Sequence, residues 1–136
     1  MKRKASAIWK GTLKEGSGLM YAQNSVLNNA QYSFKSRFEN GEGTNPEELI
    51  AAAHAGCFSM ALSAELVEAG YKPVSVETSA TITLEESTIT ASHLVVKAKV
   101  PGISKDTMEK IAGDAKTNCP VSRVLNLKIS MEVTLL

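Results

Sequence analysis

A chain of 136 residues with 43% hydrophobic and 21% charged side chains has the make-up of one ordinary folded domain, so a single domain over residues 1–136 is expected and disorder is excluded. Fifteen basic residues oppose 14 acidic ones for a formal charge of +1, with the signs interspersed, which leaves no basic stripe for a nucleic-acid backbone. Aromatic residues are only 5%, so the core must rest on aliphatic side chains and alanine, and burial against a partner would enlarge it.

Met1-Lys2-Arg3-Lys4 is not followed by an apolar run and reads as a solvated strand end, not a secretory signal. Residues 4–13 alternate loosely and predict a first strand. Glu15-Gly16-Ser17-Gly18 predicts a turn, and Leu19 to Val26 a second strand. Asn28-Asn29 can supply the positive φ angles of a tight hairpin. Tyr32, Phe34 and Arg37 or Phe38 are then expected on a third strand, ending before Asn40-Gly41-Glu42-Gly43.

Thr44-Asn45-Pro46-Glu47-Glu48 carries a strong helix start: Asn45 as cap, Pro46 at the first helical position and acids in the first turn. Glu48, three residues after Asn45, resembles a capping box. The helix runs to about Ala69, with Gly70 as its stop. It is apolar nearly all round, so it is expected to be the buried central helix. His54, Ser59, Ser63 and Glu65 make the stretch Leu49 to Val67 too polar for a membrane span. Cytoplasmic location is therefore expected, where two cysteines stay reduced and a disulfide is transient and catalytic.

Val74, Val76, Thr78, Ala80, Ile82 and Leu84 form a period-2 face, and Glu85-Glu86-Ser87 turns the chain into Thr88 to Val100, giving a β-hairpin over 74–100. After Pro101-Gly102, Ser104 or Lys105-Asp106 starts a second helix with Ile103, Met108, Ile111 and Ala115 at helical spacing. Cys119-Pro120 interrupts it, Pro120 opens a short turn through Leu125, and alternation from Leu127 to Leu135 gives a final strand. The order predicts an α+β fold, with antiparallel sheet packed around the long helix.

Two cysteines can carry chemistry. Cys57 lies mid-helix, where it is either a small core hydrophobe or a nucleophile. Cys119, in Asn118-Cys119-Pro120, stands at a helix interruption where backbone amides can lower a thiol pKa, or where it is only structural. A thiolate at Cys57 is opposed by desolvation and gains nothing from either helix end, so it needs a cation from outside the helix. Arginine suits because it stays charged when buried, and it needs a carboxylate to hold its fork. Arg37 and Glu47 are the candidates, against the plainer readings of a solvated strand residue and a helix-dipole partner. His54 shares a helix face with Cys57, which permits a Cys–His dyad, but no third residue or oxyanion loop is identifiable. Adding His93 and Cys119 would assemble a zinc site, yet these ligands are scattered and lack paired cysteine spacing. His54 is expected to be a packed helix residue.

Four segments are similar to the osmotically inducible protein C and organic hydroperoxide resistance family. They are Ser25-Val26-Leu27-Asn28 leading to Tyr32-Ser33-Phe34-Lys35-Ser36-Arg37-Phe38-Glu39; Gly43-Thr44-Asn45-Pro46-Glu47-Glu48 running on through His54-Ala55-Gly56-Cys57-Phe58-Ser59-Met60-Ala61-Leu62; Val100-Pro101-Gly102-Ile103; and Asn118-Cys119-Pro120-Val121-Ser122. The arginine of the first and the Asn-Pro-Glu-Glu of the second resemble the osmotically inducible branch. The resemblance implies an intertwined homodimer with active sites at the interface. It implies a peroxidase in which Cys57 attacks an organic hydroperoxide, alkyl or lipid, and becomes a sulfenic acid. Cys119 would resolve it as a disulfide, and an external dithiol would restore both thiols. Arg37 would stabilise the charge with Glu47 orienting it, and no cofactor or metal is implied. Glu47 and Cys57 are separated by roughly 15 Å of helix, so either Arg37 spans much of the gap within one chain or the partner chain supplies the charges, and a site shared across the dimer is the working hypothesis. The alternatives are a non-catalytic protein that binds an apolar ligand, or a redox-sensing stress protein.

Overall fold

A computed structural model describes all residues, 1–136. The chain divides into two compact units, Met1–Leu49 and Ile50–Leu136. In the first, β1 (Ala5–Lys10), β2 (Ser17–Ala22) and β3 (Ala30–Tyr32) form an antiparallel sheet in that order. β2 stops short of the expected Val26 because the chain folds back on itself, with Ala22 N–H donating to Leu27 O at 2.8 Å and Ser25 and Asn29 at positive φ.

The third expected strand is mostly a helix. Only Ala30–Tyr32 pairs, and Phe34–Phe38 forms α1, carrying Arg37. Ser33 caps it reciprocally: its Oγ accepts from Ser36 N–H at 3.1 Å, and Ser36 Oγ accepts from Ser33 N–H at 2.8 Å. Phe34 and Phe38, one turn apart, pack with ring centroids 4.9 Å apart. The capping pair is serine with serine in place of the usual Glu or Gln at the third position, so the sequence signal is weak.

Helix α2 (Pro46–Glu68) starts where expected, with Asn45 Oδ1 accepting from Glu48 N–H at 2.7 Å. The other half of the expected box differs: the Asn45 amide donates to Ser36 O at 3.0 Å, tying the cap to α1. Its end is a Schellman motif. Gly70 has φ +93, Tyr71 N–H donates to Leu66 O at 2.9 Å, and Gly70 N–H donates to Val67 O at 3.0 Å.

In the second unit β4 (Ser75–Glu85) and β5 (Thr88–Lys99) form the expected hairpin, turning on Glu86 and Ser87, both at positive φ as a two-residue hairpin turn requires. α3 (Lys105–Asn118) is capped by Ser104 Oγ, which accepts from Thr107 N–H at 3.2 Å. α4 (Pro120–Val124) follows directly, then β6 (Lys128–Leu135). β4 and β5 are antiparallel as expected, whereas β6 runs parallel to β5. The helical crossover through α3 and α4 returns the chain to the same end of the sheet, as a parallel neighbour demands.

The hydrophobic core lies in this second unit. Phe58, Leu62 and Leu66 of α2 meet Leu94, Val96 and Ala98 of β5 and Met108, Ile111, Ala112 and Ala115 of α3. The expectation of a helix buried all round is met on one stripe only. His54, Phe58, Leu62 and Leu66 are enclosed, while Ala52, Ala53, Gly56, Met60, Ala64 and Val67 stay exposed, Met60 by 77%. The helix, expected to be too polar for a membrane, is by length and composition apolar enough to cross one. Its polar positions have partners within the fold: Ser59 Oγ lies 2.8 Å from Thr78 Oγ1 of β4, and His54 is bonded on both ring nitrogens.

Candidate active site

The second unit brings the two cysteines together. Cys57 projects from the middle of α2, and Cys119 is the residue where α3 ends and α4 begins. Pro120 creates that junction: it cannot continue α3 but suits the first position of α4. The sulfurs are 2.9 Å apart and share an S–H···S hydrogen bond between two free thiols. Cys119 is fully buried and Cys57 partly so.

Their acidities differ. Burial pushes the Cys57 thiol up, its hydrogen bond with Cys119 pushes it further, and the backbone N–H of Val121 offsets only part of this. Burial also acts against the Cys119 thiolate, but the hydrogen bond with Cys57, together with the backbone and side chain of Ser122 and the backbone of Val121, outweighs it. The Cys119 thiol therefore lies below its ordinary value. No cation is among the groups that act on Cys57, so nothing within its own unit reverses this order for a mid-helix thiolate.

His54 is not a partner of Cys57. Its ring is fully buried, with Nδ1 2.7 Å from Ser92 Oγ of β5 and Nε2 2.8 Å from Ser122 Oγ of α4. Burial lowers its pKa, so the ring is neutral at neutral pH. The spacing of His54 and Cys57 on one helix could not reveal this, because both serines are distant in sequence. His93 lies elsewhere on the sheet, with Nδ1 2.6 Å from Ser130 Oγ and Nε2 3.5 Å from Glu132 Oε1. The two histidines and two cysteines thus do not gather into one ligand set.

In the first unit Arg37 and Glu47 form a bidentate ion pair. Arg37 Nη2 donates to Glu47 Oε1 at 2.7 Å, and Nε donates to Oε1 and Oε2 at 3.1 and 3.2 Å. The pair joins α1 to the first turn of α2, and the Glu47 carboxylate is largely covered. The guanidinium also stacks 5.1 Å from the Phe38 ring centre, which fixes its plane. It borders a cavity of about 440 Å³ lined by Trp9, Leu13, Tyr32, Phe34, Phe38 and Pro46, in which Arg37 is the one charged group. The four expected site residues therefore stand as two pairs, one in each unit.

Residues 39–134 match the family described as OsmC-like protein, and the chain belongs to that family. It is 45% identical over 137 residues to peroxiredoxin OsmC of Escherichia coli strain K12, covering 98% of this chain and 96% of that one. It is 31% identical over 100 residues to organic hydroperoxide resistance protein-like 1 of Staphylococcus epidermidis, covering 69% of this chain and 71% of the relative. Among solved structures, an OsmC-like protein from Vibrio cholerae superposes with a TM-score of 0.78 at 16% identity, covering 98% and 99% of the two chains. Organic hydroperoxide resistance protein OhrB of Bacillus subtilis gives 0.68 at 23% identity, covering 96% and 98%. These two likenesses bear on the fold.

Proposed function

We propose that this chain is a cysteine-based peroxidase that reduces organic hydroperoxides to alcohols and protects against oxidative stress. The observation that carries the reading is the 2.9 Å approach of Cys57 and Cys119 sulfurs, in a chain whose relatives bear the names peroxiredoxin and organic hydroperoxide resistance protein. The Cys57 thiolate attacks the outer peroxide oxygen; the O–O bond breaks, the alcohol leaves after protonation, and Cys57 becomes a sulfenic acid. Cys119 then displaces the hydroxyl to form a disulfide, and an external dithiol reduces that bond by exchange. The sulfur carries the electrons, so the cycle calls on no bound cofactor.

Cys57 needs a cation, and the Arg37–Glu47 pair is the proposed source. Glu47 fixes the guanidinium, which would stabilise both the thiolate and the charge developing on the departing oxygen. The aromatic cavity beside Arg37 suits the alkyl part of a hydroperoxide better than a small hydrated peroxide. The working form is proposed to be a cytoplasmic homodimer. The exposed apolar face of α2 supports this, because a second chain would cover Gly56, Met60 and Val67. Arg37 and Glu47 of one chain would then serve Cys57 of the other.

The same cavity favours a second reading, capture of an apolar ligand without turnover. Peroxide loss separates the two. With tert-butyl hydroperoxide and a dithiol, the parent should turn over repeatedly and Cys57→Ser not at all. Equal rates in both would remove the peroxidase reading, and a single equivalent consumed without turnover would indicate a sensor.

A further inference from the structure

The peroxidase cycle gives the buried His54 no task, although both of its ring nitrogens are bonded to side chains of other elements. Nδ1 lies 2.7 Å from Ser92 Oγ of β5 and Nε2 2.8 Å from Ser122 Oγ of α4, and all three residues are buried. The second bond has a particular place. His54 and Cys57 stand one turn apart on the same face of α2. Ser122 and Cys119 stand the same three residues apart at the start of α4. The contacts His54–Ser122 at 2.8 Å and Cys57–Cys119 at 2.9 Å are therefore neighbouring rungs between the same two stretches of chain. A shift of α4 along α2 that breaks one rung opens the other.

Little else directs α4 to this position. A helix of five residues is not stable by itself, and Cys119 caps it without a side-chain hydrogen bond. Its backbone bonds run within the segment or back to α3: Cys119 N–H donates to Ala115 O at 2.9 Å, and Arg123 N–H to Cys119 O at 3.1 Å. Val121 packs on the core, but apolar contact has no preferred direction. The hydrogen bond of Ser122 to His54 does have one.

We propose that His54 is a positioning residue for disulfide formation: through its Nε2 contact with Ser122 it holds α4 in the register on α2 that keeps the Cys119 sulfur within reach of Cys57. The inference rests on the peroxidase reading, in which the Cys119 sulfur bonds to the sulfur of the Cys57 sulfenic acid. There the S–S bond forms as the S–O bond breaks, and the hydroxide leaves as water with the proton that the Cys119 thiol gives up. The role is geometric, so it holds for either order of donor and acceptor along the Ser92–His54–Ser122 chain. Its measure is the effective concentration of one thiol at the other, which needs no peroxide.

Equilibrating the full chain with reduced and oxidised glutathione gives that quantity. The two protein thiols pass two electrons to glutathione disulfide, yielding one protein disulfide and two glutathione thiols, and intact mass after alkylation counts the species. Ser122→Ala should lower the effective concentration about tenfold, the weight of one buried hydrogen bond. Ser92→Ala unpairs the other ring nitrogen at a comparable cost to the fold but leaves the rung between α2 and α4, so its value should stay within about twofold of the parent. Equal losses in the two serine variants would make His54 a general prop and overturn the inference. Two polar replacements of the ring test it without an alanine variant. His54→Gln sets its amide near the place of Nε2 and should keep most of the parent value. His54→Asn reaches only as far as Nδ1 and should fall with Ser122→Ala; a His54→Asn chain that matches His54→Gln contradicts the inference. Each contrary result leaves the peroxidase reading standing. Failure of the parent to consume tert-butyl hydroperoxide removes that reading instead, and the glutathione equilibrium still decides whether the rung places the sulfurs.

Discussion

Cys57 and Cys119 sit 2.9 Å apart, yet their settings ask different things of them. Cys119 has helix-start amides and a hydroxyl to support an anion; Cys57 has burial against it. On the proposed cycle Cys57→Ser abolishes reaction, while Cys119→Ser allows one oxidation and then accumulates sulfinic acid at Cys57, which mass spectrometry resolves. Arg37→Lys should lower peroxide turnover by at least about tenfold, because a lysine cannot reproduce the two-point grip on Glu47; near-parental turnover in Arg37→Lys would contradict the role. His54 supplies a pH prediction. Burial holds the folded ring below its ordinary 6.5, so the unfolded chain binds a proton that the folded chain resists. The native state is therefore not penalised above that value and loses stability as pH falls beneath it. Melting temperature should drop between about pH 7.5 and about pH 5.5, and His54→Gln should narrow the drop. A gap of the same size in His54→Gln would assign the drop to other groups.

The turns and caps carry predictions of their own. Glu86 and Ser87 both hold positive φ without being glycine, a conformation that costs an L-residue about 1–2 kcal/mol. Ser87→Gly should stabilise the hairpin by about 0.5–1 kcal/mol once glycine's own entropy is deducted, and denaturant melts would show it. Most element boundaries were legible because their signals are local: Asn45-Pro46-Glu47 for the start of α2, Gly70 for its end, Ser104 for α3 and Pro120 for the break. The α1 helix was not, since its cap is a serine–serine pair and its five residues are too few to show periodicity. The parallel pairing of β6 was also hidden, because alternation along a strand says nothing about which neighbour it joins or in what direction. At the site the cysteines and the ion pair were legible from residue type. The Ser92–His54–Ser122 chain was not, since serines 38 and 68 positions from the ring carry no sequence mark.

For the whole molecule, the exposed apolar stripe on α2 and a core drawn wholly from residues 58–119 leave much surface that a second chain would cover. A homodimer built this way should melt at a higher temperature as protein concentration rises, and Met60→Glu, placing a charge on that stripe, should yield monomer in sedimentation. The shared-site proposal predicts complementation: Arg37→Ala and Cys57→Ser chains, each inactive alone, should regain part of the parent activity when refolded together. No recovery in verified mixed dimers would place Arg37 and Cys57 of the same chain in one site. If the Cys57–Cys119 pair reduces an organic hydroperoxide, then treating the reduced chain with one equivalent of cumene hydroperoxide should give one alcohol for each Cys57–Cys119 disulfide found among the mapped cysteine peptides. Intact peroxide beside two alkylatable thiols would show that the pair does not carry the reaction.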